Sequence, residues 1–118
     1  MRAIVLAVAS FAVVLFAVAP AMIGGLGLMA WAQELNLVIR NHKFEPEEIR
    51  VPAGKRVSLY VANEDATPEE FDSAALKVEK VIAGRSKALV RIGPLEPGRY
   101  EFIGEFHADT AKGIVIAE

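Results

Sequence analysis

A chain of 118 residues with 13 Lys and Arg against 15 Asp and Glu carries a formal net charge of −2. Its basic residues are scattered and form no stripe to follow a phosphate backbone, which argues against a nucleic-acid partner. The chain has no cysteine, so disulfides and thiolate chemistry are excluded and the core must hold by packing alone.

From Ala3 to Ala30 there is no charged residue; Arg2 precedes the run, and Ala30-Trp31-Ala32 closes it ahead of Gln33-Glu34. A positive start, an apolar middle and an Ala-x-Ala exit form the pattern of a secretory signal peptide over residues 1–32, with cleavage expected after Ala32. The rival reading is an uncleaved anchor, since about 20 apolar residues span a bilayer. Pro20, Gly24, Gly25 and Gly27 break the second half of the run and favour cleavage. Either way the polar part is expected to be exported, with a periplasmic location. Residues 33–118 suffice for one small domain and not for two.

Within that domain, Leu35, Leu37 and Ile39 alternate with more polar neighbours, the period-two signature of a strand with one buried face. Asn41-His42-Lys43 interrupts it, and Phe44-Glu45-Pro46 is read as a turn. Ile49 and Val51 alternate again before the turn Pro52-Ala53-Gly54-Lys55. Val57, Leu59 and Val61 line one face of the next strand, which Asn63 ends. Residues 64–70 are acidic, contain Pro68 and show no period, so they are assigned to a loop, the kind of segment on which sites tend to lie. After a short segment from Phe71 to Ser73, with room for a brief helical turn from Asp72 to Leu76, come strands at 76–83 and around Ala88, Val90 and Ile92. Pro94-Leu95-Glu96-Pro97-Gly98 marks a turn, Tyr100 and Phe102 open the next strand, and Gly113 to Ile116 form the last. About seven short strands with no helical period argue for an antiparallel β-sandwich.

Two acidic knots carry the candidate chemistry. Glu105 and His107 flank Phe106, and in an extended strand they would share one face with Phe106 packed behind. A carboxylate and an imidazole are credible ligands for Cu(II), Fe or Zn(II). Glu69 and Glu70 form the second knot, beside Phe71, an aromatic expected to dip back onto the core and hold a neighbouring carboxylate in place. His42, standing in a turn far from the other cluster in sequence, is read as surface. No Ser-His-acid arrangement and no Gly-rich phosphate loop is present.

Taken together, Phe44-x-Pro46, Ile49-x-Val51-Pro52-Ala53-Gly54, Val57-x-Leu59, Asn63, Pro94-Leu95-x-Pro97-Gly98-x-Tyr100-x-Phe102 and Gly113-x-Val115 resemble the cupredoxin framework, an all-β Greek-key sandwich. In blue copper proteins of that framework the ligands are a histidine, a cysteine, a second histidine and usually a methionine. By the resemblance, these positions fall here on Glu70, Gly104, His107 and a place near Ala111 or Lys112, so a His₂Cys centre is not expected. Glu69-Glu70-Phe71-Asp72-Ser73 and Gly104-Glu105-Phe106-His107 resemble the EfeO-type domains and small periplasmic proteins found with bacterial high-affinity iron uptake. That likeness implies a bound copper or iron ion, ligand candidates Glu70, Glu105 and His107 with Glu69 next, and a partner such as a membrane iron permease or another periplasmic iron-uptake component. A ferroxidase-like oxidase acting with a partner is the enzymatic alternative, and a metal-free interaction domain the third.

Overall fold

The computed structural model describes residues 33–118, so the expected signal segment 1–32 lies outside the described residues. Nine strands run in the order β1 (Gln33–Arg40), β2 (Lys43–Glu45), β3 (Glu48–Val51), β4 (Val57–Asn63), β5 (Glu69–Ser73), β6 (Val78–Ile82), β7 (Ser86–Ile92), β8 (Gly98–Gly104) and β9 (Lys112–Ala117), with a 3-10 turn at Glu105–His107 between the last two. They form a four-stranded sheet ordered β2-β1-β4-β7 and a five-stranded sheet ordered β3-β9-β8-β5-β6. Among the described residues no helix is long and apolar enough to cross a membrane.

The period-two pattern fixes the packing. On β1 and β4, Leu37, Ile39, Val57, Leu59 and Val61 are all buried, and Val90 and Ile92 join them from β7. The opposite face of β4 is more open at Tyr60, as alternation requires. Across the sandwich, Phe71 and Phe102 from neighbouring strands stack with centroids 4.8 Å apart, and Phe44 meets Phe102 edge-on at 4.9 Å. Three buried rings from β2, β5 and β8 thus tie the two sheets together in a cysteine-free core, each pair adding about 0.5–1.5 kcal/mol beyond its buried area.

Several expectations change. The sheets are mixed rather than antiparallel, because β1 pairs with β4 and β3 with β9 in parallel. Between β1 and β4, and between β3 and β9, the chain crosses to the other sheet and back, the kind of longer connection that a parallel pair requires. Phe44 and Glu45, read with Pro46 as a turn, belong to a strand, Lys43–Glu45, paired with β1 through a two-residue hairpin at Asn41-His42. Both hairpin residues have positive φ, 54° and 58°, the backbone pattern whose twist matches the flanking strands. Glu69 and Glu70, assigned to a loop, open β5 and pair with Ile82 and Val81. The helical turn allowed from Asp72 to Leu76 is a tight turn instead, closed by the Leu76 N–H donating to Ser73 Oγ and the Lys77 N–H donating to the Ala74 carbonyl.

Asn63 shapes the segment between β4 and β5. Its buried amide donates to the carbonyls of Thr67 at 2.8 Å and Ile82 at 3.1 Å, and its Oδ1 accepts the Asp65 N–H at 3.0 Å. A single side chain thereby satisfies backbone groups that would otherwise be buried unpaired, and it fixes where β5 begins.

Candidate functional site

Three segments meet at the end of the sandwich where β1, β4 and β8 finish: the Asn41-His42 hairpin, the 64–68 loop leading into β5, and the turn after β8. On β5 the burial alternates, with Glu69, Phe71 and Ser73 inward. Phe71 anchors that parity in the aromatic core, so Glu69, two residues earlier, is carried inward too. Its residue is 1% exposed.

Both carboxylate oxygens of Glu69 are engaged locally. Oε1 accepts the N–H of Glu70 at 3.0 Å and the N–H of Phe106 at 2.9 Å, while Oε2 lies 2.6 Å from His107 Nδ1. With the carboxylate as acceptor, Nδ1 carries the proton and the lone pair of His107 is on Nε2, a tautomer assigned from this hydrogen bond. Buried carboxylates persist only when so paired.

Gly104 makes room for this arrangement. A Cβ built there would lie 2.6 Å from Ala111 Cβ, 2.7 Å from Glu69 Cδ and 2.8 Å from Glu69 Oε2. Its backbone is ordinary extended chain, φ −95° and ψ 104°, so the glycine is needed for space and not for conformation. The Gly104 N–H donates to the Ala111 carbonyl at 2.9 Å, closing the loop over the carboxylate.

His42 sits flat against His107, the ring centroids 3.6 Å apart and the planes 10° from parallel. Its backbone is held from two sides. The N–H groups of Asn41 and His42 donate to the two oxygens of Asp65 at 2.8 and 2.9 Å, and Thr110 Oγ1 donates to the His42 carbonyl at 2.6 Å. Desolvation pushes the Asp65 pKa up, but the two amide hydrogen bonds, together with the nearby His42 and His107 imidazoles, bring it below the ordinary carboxylate value.

The sequence-derived candidates are placed unequally. Glu69 and His107 are in direct contact. Glu70 lies on the opposite face of β5, half-buried, where desolvation and then the carboxylates of Glu79, Asp72, Glu105 and Glu69 raise its pKa. Glu105 is exposed at the start of the 3-10 turn. That turn overturns the expectation of an extended Glu-x-His pair, because about three residues per turn does not put alternate residues on one side. Phe106 is 49% exposed and does not pack behind the pair. His42, read as remote surface, is the residue sequence reasoning missed. Among the described residues no group of three or more His, Asp or Glu side chains converges in a way that could hold a metal ion.

The comparisons with known proteins agree with this architecture. An uncharacterized protein of Rickettsia prowazekii (strain Madrid E) is 40% identical over 83 residues, covering 70% of this chain and 66% of the relative, just under two thirds of its length. Auracyanin A, a "blue" copper protein from Chloroflexus aurantiacus, superposes with a TM-score of 0.62 at 14% identity, covering 72% of this chain and 98% of that one. A purple cupredoxin from Nitrosopumilus maritimus gives 0.56 at 17%, covering 71% and 99%. The metal-binding domain of the Cu(I)-exporting P-type ATPase CopA of Streptococcus pneumoniae D39 gives 0.62 at 17%, covering 72% and 84%. At these identities the structural likenesses establish the fold alone. The model of the cupredoxin-like domain matches residues 6–117, and on that match the chain belongs to the cupredoxin-like domain family.

Proposed function

We propose that this chain is an exported metal-binding protein of the EfeO-type, iron-uptake-associated branch of its family, handling copper or iron with His107 as its first ligand. The observation that carries the reading is the 2.6 Å contact between His107 Nδ1 and the buried Glu69 carboxylate. Histidines that ligate metals are generally oriented in this way, one ring nitrogen donating to a carboxylate and the other left for the ion. Glu69 is then the positioning group, and Glu105, exposed on the same turn, offers a carboxylate of the hard kind that favours Cu(II) or Fe(III) over Cu(I). A bound copper or iron ion supplies redox and Lewis-acid capacity that side chains lack.

A thiolate-held copper centre does not fit these residues. The chain has no cysteine, and at Gly104, where the resemblance puts the thiolate, the Glu69 carboxylate fills the space of a side chain. The proposed partner is a membrane iron permease or another component of iron uptake outside the cytoplasm.

Calorimetric titration of the 33–118 domain with Cu(II), Fe(II) and Fe(III) tests the reading. Binding that His107→Ala abolishes and Glu69→Gln weakens by about 10- to 100-fold is the expected result. Failure of the parent protein to bind any of these ions sinks the proposal and leaves a metal-free interaction domain.

A further inference from the structure

We infer that the end of the sandwich opposite the His107 turn is a lipid-facing surface, which rests on an anionic bilayer in which residues 3–30 anchor the chain. This placement takes residues 1–32 as the uncleaved anchor and is independent of metal binding. Gln33 opens β1 opposite Val57, the first residue of β4, and Val57 faces Ile92, the last of β7. At that same end the turns 52–56 and 93–97 are tied together, the Gly54 N–H donating to the Leu95 carbonyl at 2.8 Å, and the Ala53 N–H donates to the Glu118 carbonyl at 3.0 Å. The His107 turn follows β8 at the other end. Only Trp31 and Ala32 separate Ala30, the last residue of the uncharged run, from β1, and three residue steps reach at most about 10 Å. A run longer than the roughly 20 residues that cross a bilayer therefore brings this end of the domain to the membrane surface.

The residues at this end suit such a surface. Arg2 ahead of the run favours a cytoplasmic start, which leaves the domain outside. Trp31 is of a type that gathers at membrane–water interfaces, and Pro and Gly, which interrupt the run at Pro20, Gly24, Gly25 and Gly27, are commoner in membrane spans than in soluble helices. Lys55 and Arg56 stand exposed on the 52–56 turn, and neither makes an ion pair among the described residues. Ala53, Gly54, Pro94, Leu95 and Pro97 line a shallow depression beside them. The acids here are Glu34 and Glu96, with Glu118 held by Arg50. At the opposite end Glu64, Asp65, Glu70, Glu105 and Asp109 outnumber Lys43 and Arg85, so an anionic surface attracts one end and repels the other. A seven-residue strand such as β4 spans about 23 Å, more than two Debye lengths at physiological salt. The His107 turn is thereby held clear of the lipid charge.

The test uses the full chain, expressed with residues 1–32 and reconstituted from the membrane fraction into vesicles of phosphatidylglycerol with a nitroxide-headgroup lipid. Because the chain has no cysteine, Glu96→Cys and Asp109→Cys each accept one fluorophore, at opposite ends of the sandwich. Quenching should be strong at position 96 and near background at 109, and the intact mass should show residues 1–32 retained. Adding Lys55→Gln and Arg56→Gln should lower the ratio of surface-resting to free domain by about fivefold for each charge removed, read as lost quenching at 96. Should those variants fold poorly, raising the salt on the chain labelled at 96 must have the same effect. Equal quenching at the two positions, quenching indifferent to charge and salt, or recovery of a membrane-free chain beginning at Gln33 overturns the placement. None of these outcomes bears on metal binding, which calorimetry on the 33–118 domain decides.

Discussion

Replacing Glu69 separates its two roles. In Glu69→Gln the shape is kept, and the amide oxygen can still accept the Glu70 and Phe106 N–H groups. The amide nitrogen then faces His107 Nδ1 and must donate to it, which moves the imidazole proton to Nε2 and hides the lone pair a metal needs. Charge-assisted hydrogen bonds, about 1.5–3 kcal/mol, become neutral ones of about 0.5–1.5, and the carboxylate's desolvation penalty is relieved in part. The net loss is about 1–2 kcal/mol, or a melting temperature lower by about 4–16 °C for a domain this small. Glu69→Ala goes further, leaving two part-buried N–H donors and an imidazole without an acceptor plus a cavity, for about 2–4 kcal/mol. That is a large share of a typical stability of about 5–15 kcal/mol. Urea unfolding measures both losses, and imidazole ¹⁵N shifts report the tautomer. If Gln and Ala lie within about 0.5 kcal/mol of the parent, or if His107 keeps its proton on Nδ1 in the Gln variant, the carboxylate is not what holds the imidazole.

Gly104→Ala should cost about 1–3 kcal/mol through overpacking, because its methyl would collide with Glu69 and Ala111; equal denaturation midpoints for variant and parent would show that the loop yields freely. Asp65 has a depressed pKa in the folded chain, so its contribution is present above the ordinary carboxylate range and fades as pH falls through the folded value. Asp65→Asn should accordingly lower stability at pH 7 and flatten the acid limb of a stability–pH curve, which a urea series at several pH values records. Glu70 has the opposite sign: its raised pKa means that ionisation opposes folding. Glu70→Gln should raise the melting temperature slightly at pH 7 and have no effect at a pH where the carboxyl is already protonated, as calorimetry can show.

The framework of the sandwich could be read from the sequence because its determinants are local. Alternation at Leu37 and Ile39 or at Val57, Leu59 and Val61, and turn chemistry at Pro52 to Lys55, specify strands and their buried faces without reference to the rest of the chain. The site is harder, since each part of it depends on parity or on a distant neighbour. Whether Glu69 or Glu70 enters the core depends on a one-residue register, and the usable signal was Phe71: an aromatic that must be buried carries the residue two before it inward, not the one next to it. Nothing local marks Glu105 to His107 as a 3-10 turn. It follows from the chain having to close over Glu69, where the Phe106 N–H finds its acceptor and the Ala111 N–H reaches the His107 carbonyl. His42 lay furthest beyond reach. Asn41-His42 does carry the mark of a tight hairpin, but only the parallel pairing of β1 with β4 puts that hairpin beside Asp65. Once there, Asp65 and Thr110 determine its position, so the contact between the two histidines is a product of topology. The same topology requires Gly104 and Glu69 to be read as a pair: the missing side chain of one is the space occupied by the other, and a change at either alone should cost stability before it changes any chemistry.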